Sequence, residues 1–235
     1  MALTRCQSAG SPPSSGFIIS GFIVNFPHQR LGQLIAVSGP SGTGKTTLCR
    51  KVCEAGLAVF SVSCTTRKPR PGEQHGVDYF FLSEAEFERR VAAGDFFEHA
   101  QVHQHAYGTL KETVYDHLRQ GVDVLLDIDV QGAAMVRSCT DELVRRCLLD
   151  VFVLPPSPEE LAARLRGRGT EDTATLDLRL RNAAAEMAHW PAYQHVLVSS
   201  TREEDEVRFR SLLSAGTLRT SLYLGADANS PEDPA

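Results

Sequence analysis

The chain has 235 residues, with 24 Lys and Arg against 29 Asp and Glu, a formal net charge of −5 and a sequence pI near 5.9. That length suits one sizeable domain, and that charge excludes a general nucleic-acid or membrane-surface binder, so any basic patch is local. No run reaches the roughly eighteen apolar residues of a membrane span, and the six scattered cysteines, with no CxxC pair, read as reduced thiols of a cytosol-like compartment.

Residues 1–32 contain no Asp or Glu and hold an apolar stretch at 17–26. A secretory-signal core, an organelle transit segment and a plain extension are three readings of this stretch, and the residues do not choose among them. From Gly32 onward, short apolar runs alternate with helical segments, the pattern of an α/β protein with a parallel sheet. Strands are expected at 33–39, 57–63, 122–129, 148–154 and 195–199, and a helix at 44–56 closed by Gly56. Capping boxes at Ser83/Glu86, Thr109/Glu112, Ser157/Glu160 and Thr201/Glu204 mark four helix starts, and Pro158 suits a first turn. Residues 63–119 break the rhythm as a turn-rich insert. The Arg/Gly stretch at 164–172 breaks it again as a polar, mobile segment, and the polar end from 216 reads as a disordered tail. His99, His103 and His105 alternate, with 103 and 105 on one strand face, and read as a partly exposed strand without a third metal ligand.

The segment Gly39, Pro40, Ser41, Gly42, Thr43, Gly44, Lys45, Thr46 matches G-x-x-x-x-G-K-[ST], with an apolar strand before it and a helix after it, and these residues with Thr47 are the candidate contacts to the ATP phosphates. Glycines let backbone N–H groups turn toward phosphate oxygens, and the helix N-terminus adds its positive end. Lys45 suits the β- and γ-phosphates and Thr46 suits Mg²⁺, which makes the chain a nucleoside triphosphate binder. Asp127 and Asp129, two apart at the end of an apolar strand, are expected on one side of it, one toward the metal and one toward an acceptor.

A GTPase-like switch requires an N-K-x-D guanine motif, which is absent; a small-molecule kinase requires an acceptor site and mobile arginines. Arg67 and Arg70, with Ser63 and Tyr79 in the same insert, form a candidate fork for a phosphomonoester, since guanidinium donors pair bidentately with phosphate oxygens. The stretches SGPSGTGKTTL, SVSCTTRKPRPGE, GVDYFF, DFFEHAQV, YGT, LDIDVQGA and RLRGRGTED, in that order, resemble the guanylate kinase family across residues 33–215.

That resemblance implies a P-loop kinase fold: a central parallel sheet flanked by helices, a small mixed GMP-binding insert and a mobile lid. It implies ATP-dependent phosphorylation of GMP, and of dGMP, with Mg²⁺, in purine nucleotide metabolism. Ser63, Arg67, Arg70, Tyr79 and Tyr107 would hold the GMP phosphate, and Glu98, Thr109 and Asp129 would read guanine. Lys45 and Thr46 would serve ATP and Mg²⁺ with Asp127 near the metal, and Arg164, Arg168 and Arg179 would close over the phosphates. The expected domain spans 33–215, with core segments 33–62, 120–163 and 180–215, insert 63–119 and lid 164–179, between an extension at 1–32 and a tail at 216–235. A cytoplasmic monomer without nucleic-acid or membrane partners is expected. The pattern departs at Ser199 and Ser200, where the family commonly has Asn-Asp near adenine. The rival readings are a non-catalytic interaction module, against which the phosphate loop is complete, and a related sugar-phosphate kinase, against which Glu98, Thr109 and Asp129 stand.

Overall fold

The structure is a computed structural model and describes residues 16–19, 22–25, 29–102, 104–166 and 173–223. It opens with an antiparallel hairpin, β1 (Gly16–Ile19) and β2 (Phe22–Asn25). Strand β3 (Leu34–Ser38) leads into α1 (Lys45–Glu54) and β4 (Val59–Phe60), and the insert contains β5 (Cys64–Thr65), β6 (Phe80–Phe81), α2 (Glu84–Ala93), β7 (Phe96–Val102) and β8 (His105–Leu110). The chain then returns through α3 (Lys111–Arg119), β9 (Val124–Asp127), α4 (Val130–Ser138), α5 (Glu142–Cys147) and β10 (Leu148–Leu154). It finishes with α6 (Pro158–Arg166), α7 (Thr173–Met187), β11 (His195–Val198) and α8 (Arg202–Gly216).

Five strands form a parallel sheet in the order β11-β10-β3-β9-β4. All five residues of β3 are buried. Because side chains alternate across a strand, Leu34 and Ala36 enter one core with Val114, Leu118 and Val136, while Ile35 and Val37 enter another with Cys49, Val52 and Phe209. The sheet therefore has helices on both faces, and the loop after its central strand opens at the carboxyl edge, where such sheets bind ligands.

Two expected strands are shorter than their apolar runs. β4 ends early because, after the Ser61 N–H bonds Leu125 O at 3.0 Å, the chain crosses to a second sheet as β5. β9 stops at Asp127 because Asp129 already caps α4, accepting from Gly132 N at 2.7 Å. The two aspartates thus do not share one strand face. The second sheet is mixed, in the order β6-β5-β8-β7, with Thr65 opposite Tyr107 and Glu98 opposite Thr109. His99 and His105 fall on opposite strands of its hairpin, and His103 lies outside the described residues.

Ser83, Ser157 and Thr201 accept from Glu86 N, Glu160 N and Glu204 N as the capping boxes require. Thr109 does not cap. The N-cap of α3 is Leu110, without a side-chain bond, and the Thr109 hydroxyl points to Glu98 instead. Leu161 and Leu165 of α6 bury against Ala183 of α7, so the end of α6, which falls within the expected lid at 164–179, packs with the rest of that helix. Arg168 lies outside the described residues.

The domain also extends past both expected boundaries. Leu31 N bonds Leu222 O at 2.7 Å, Arg30 pairs with Asp123 at 2.6 Å, and Arg219 donates to the carbonyls of Cys147 and Leu148. Leu222 is fully buried in the same core as Leu31 and Leu34. Leu222→Ala should therefore destabilise the protein by about 2–5 kcal/mol, as for other fully buried leucines, read as a lowered urea midpoint with unchanged slope. An unshifted midpoint would leave the domain ending near residue 216 as first expected.

Candidate active site

The phosphate loop runs from the end of β3 into α1. The Thr43 hydroxyl donates to Pro40 O at 3.0 Å and fixes the loop from within. Gly44 stands at the N-cap of α1 without a side-chain cap, and no acid occupies the first turn. The helix end thus keeps its amides and its positive potential for an anion. Parallel pairing sets Asp127 beside Val37, next to the loop. There Lys45 Nζ donates to Asp127 Oδ1, and Thr46 Oγ1 donates to Asp127 Oδ2 at 2.8 Å. A hydroxyl and a carboxylate at this separation are hard oxygen donors of the kind Mg²⁺ takes beside a nucleotide phosphate.

Two cavities adjoin the loop and share Gly42 to Gly44 and Thr47. One, of about 340 Å³, lies among the loop, Asp127, Asp129 and Glu186. The other, of about 420 Å³, is walled by Lys51, Arg164, Ser199, Ser200, Arg202 and Asp205. Ser199 and Ser200 do not stand as loose hydroxyls. Buried Asp205 accepts from Ser199 Oγ and from Ser200 N, each at 2.8 Å, and Arg164 Nη1 reaches Ser199 Oγ at 3.3 Å. Arg164, in the last turn of α6, is also tied to Glu160 at 3.0 Å. Arg179 is half-buried on α7, seven residues before Glu186 and so on the same helix face.

The insert carries the expected acceptor residues in and at the ends of the strands of its second sheet, and in the loop after β5. Register places Ser63 and Tyr79 one step before the paired Cys64 and Phe80, and Tyr79 meets Tyr107 edge-on at 6.1 Å between ring centroids. The Arg67 guanidinium lies 5.5 Å from the Tyr79 ring and pairs with Glu73 at 2.8 Å. Its Nε is buried without a partner among the described residues, which marks a seat for an acceptor. Arg70 is exposed, and its backbone N–H is held by Glu73 at 2.7 Å.

Glu98 and Thr109 face each other, the Thr109 hydroxyl donating to Glu98 Oε1 at 2.6 Å. Burial pushes the Glu98 carboxyl above the usual range, against the Thr109 hydrogen bond that favours the anion, and nearby Asp129 raises it further. Gly132 allows this approach: a Cβ there would lie 3.3 Å from both Asp129 Oδ1 and Glu98 Cγ. The three residues expected to read a base thus converge from β7, β8 and the start of α4.

Sequence reasoning missed Glu73, Glu186 and Asp205. Glu73 ends the turn that follows Arg70, Glu186 sits two helical turns beyond Arg179, and Asp205 lies in the first turn of α8. Burial pushes the Glu186 carboxyl up, and Lys45 across the cleft pulls it down. Only the i, i+7 spacing from Arg179 signals Glu186 in the sequence, and Asp205 is indistinguishable there from an ordinary first-turn acid.

The family model described as guanylate kinase matches residues 31–215. The chain is 51% identical over 172 residues to the guanylate kinase of Chromohalobacter salexigens, covering 72% of this chain and 77% of that protein. It is 44% identical over 174 residues to the guanylate kinase of Thermotoga maritima, covering 74% and 82%. Among solved structures, it is similar to guanylate kinase from Anaplasma phagocytophilum, with 34% identity, TM-score 0.65 and coverage of 85% of this chain and 94% of that one.

Proposed function

The chain belongs to the guanylate kinase family, and from that premise we propose that it transfers the γ-phosphoryl group of ATP to GMP, and to dGMP, giving ADP and the nucleoside diphosphate. The observation that carries the site assignment is a complete phosphate loop together with an insert whose buried Arg67 Nε has no acceptor among the described residues.

ATP lies with its phosphates on Gly39 to Thr47 and its base toward Ser199 and Ser200. GMP lies on the insert, its phosphate among Ser63, Arg67, Arg70, Tyr79 and Tyr107 and its base at Glu98, Thr109 and Asp129. Thr46 and Asp127 would hold Mg²⁺, which would supply positive charge to the donor phosphates. A GMP phosphate oxygen forms the new P–O bond as the bond from the γ-phosphorus to the bridging oxygen breaks, and that oxygen leaves with ADP. The acceptor oxygen is already anionic, so the protein supplies position and charge without a general base. Lys45 exchanges Asp127 for phosphate oxygens. Arg164, Arg168 and Arg179 approach as the lid closes and water is excluded, which protects ATP from hydrolysis.

We read the enzyme as a cytosolic monomer without a nucleic-acid partner, since neither substrate site needs a second copy and the five cysteines among the described residues are free thiols. No helix among the described residues is long and apolar enough to cross a membrane. The test is a coupled ADP-release assay over GMP, dGMP, AMP, CMP and UMP. Turnover is expected with GMP and dGMP alone. Equal turnover with AMP, or none with any monophosphate, would favour the sugar-phosphate or interaction-module reading.

A further inference from the structure

Glu73 has no part in the reaction as set out above, yet it holds the arginine on which the acceptor site turns. Pro71 and Gly72 occupy the centre of a four-residue turn, with Glu73 N donating to Arg70 O at 3.0 Å. Gly72 has φ 93°, which the third position of a type II turn requires. The Glu73 side chain folds back across the turn. Its Oε2 accepts from Arg70 N at 2.7 Å, and its Oε1 accepts from Arg67 Nη2 at 2.8 Å. Arg67 is fixed further by Nη1, which donates to Lys68 O at 2.9 Å, and by the Tyr79 and Phe81 rings, at 5.5 and 5.8 Å from its guanidinium. Nε is buried and has no partner among the described residues.

We propose that Glu73 is a positioning residue of the GMP phosphate site: its carboxylate stays on Arg67 Nη2 when the nucleotide binds and holds the guanidinium so that Nε meets a phosphate oxygen. This rests on the assignment of Arg67 to the GMP phosphate. The contrary role is an internal anion that the phosphate displaces. Two features oppose it. The carboxylate is also bound to a backbone amide inside a closed turn, so leaving Arg67 would disturb both bonds. Arg67 Nε, a donor suited to a phosphate oxygen, meets no partner among the described residues, so binding there need not displace Glu73. The two roles predict opposite signs, because removing a strut weakens anion binding and removing a competitor strengthens it.

The test uses the full chain carrying Glu73→Gln, with GMP titrated calorimetrically in the absence of ATP and inorganic phosphate as its competitor. An amide oxygen satisfies one of the two donors and its NH₂ repels the other, so the Kd for GMP should rise about tenfold, as for loss of one charge-assisted hydrogen bond. Phosphate should weaken in parallel, while kcat at saturating GMP and KM for ATP change less than about twofold. Glu73→Ala should shift GMP binding in the same direction. Tighter binding of GMP or phosphate by either variant overturns the proposal, as does a fall in kcat with an unchanged Kd. Arg67→Met, measured alongside, separates the two levels. If it leaves GMP binding intact, the assignment of Arg67 fails and the role of Glu73 with it. If it weakens GMP binding while Glu73→Gln does not, only the role of Glu73 fails.

Discussion

Lys45→Ala is expected to lower kcat by about 10³-fold with the fold intact, on the scale of removing a main electrostatic contact to a transition state. Lys45 is the first residue of α1, and its ammonium reaches out to Asp127, not into either core cluster. Alanine is a good helix former, so α1 gains nothing unfavourable at this position. Asp127 keeps the Thr46 hydroxyl and is part-exposed, so its carboxylate is not stranded in an apolar site. Charge that moves toward the leaving oxygen, however, loses its nearest fixed cation. The measurement is kcat at saturating ATP and GMP together with a thermal melt. Turnover like that of the unchanged protein would remove the phosphate loop from the mechanism.

Base selection gives the second large effect. Guanine offers donors at N1 and N2 and an acceptor at O6, whereas adenine offers an acceptor at N1. The Glu98 carboxylate suits the first pattern and faces a lone pair in the second. The single Thr109 proton goes to Glu98 Oε1, so Thr109 has lone pairs and no donor to offer a base. Sites built on such bonds reject an analogue by roughly 10⁴-fold, because buried polar groups are left unpaired. A kcat/KM ratio of about that size for GMP over AMP is therefore expected, and Glu98→Gln should lower the GMP value by about 10²-fold or more.

The pH dependence carries the sign. Burial holds the Glu98 pKa above the ordinary carboxylate range in the free protein, and guanine's donors need the anion. GMP affinity should thus fall as pH drops through that raised pKa, and the loss should begin above about pH 4.3, the ordinary glutamate value. The second ionisation of the GMP phosphate, near pH 6, acts equally on both proteins. The difference between unchanged and Glu98→Gln profiles isolates the carboxylate. Comparable AMP turnover, or identical profiles, would end the assignment of Glu98 to guanine.

Several features of the molecule depend on neighbours in sequence, and these were legible. The phosphate loop is one continuous segment whose glycines, lysine and hydroxyl act through local backbone geometry. Apolar runs of period 2 and 3.6 locate β3, α1, β10 and β11 within a residue or two, and three of the four capping boxes form as spaced. The convergence of Glu98, Thr109 and Asp129 was legible only by family resemblance, since their spacing along the chain says nothing of distance.

Tertiary structure decided whatever turned on a choice between partners. Thr109 had a capping role open three residues before Glu112, yet strand pairing set it opposite Glu98, and a buried hydroxyl takes the charged acceptor within reach. Asp129 read as a strand residue until the need of α4 for an N-cap ended β9 before it. Leu222 and Arg219 sit in a polar-looking end, and only the open edge of the core beside Leu31 and Leu34 gave them a place to bury. By itself the sequence determined the strand–loop–helix engine and its chemistry, because those are short-range patterns. Which side chain each carboxylate holds is a long-range contact, and that was settled only when the two sheets came together.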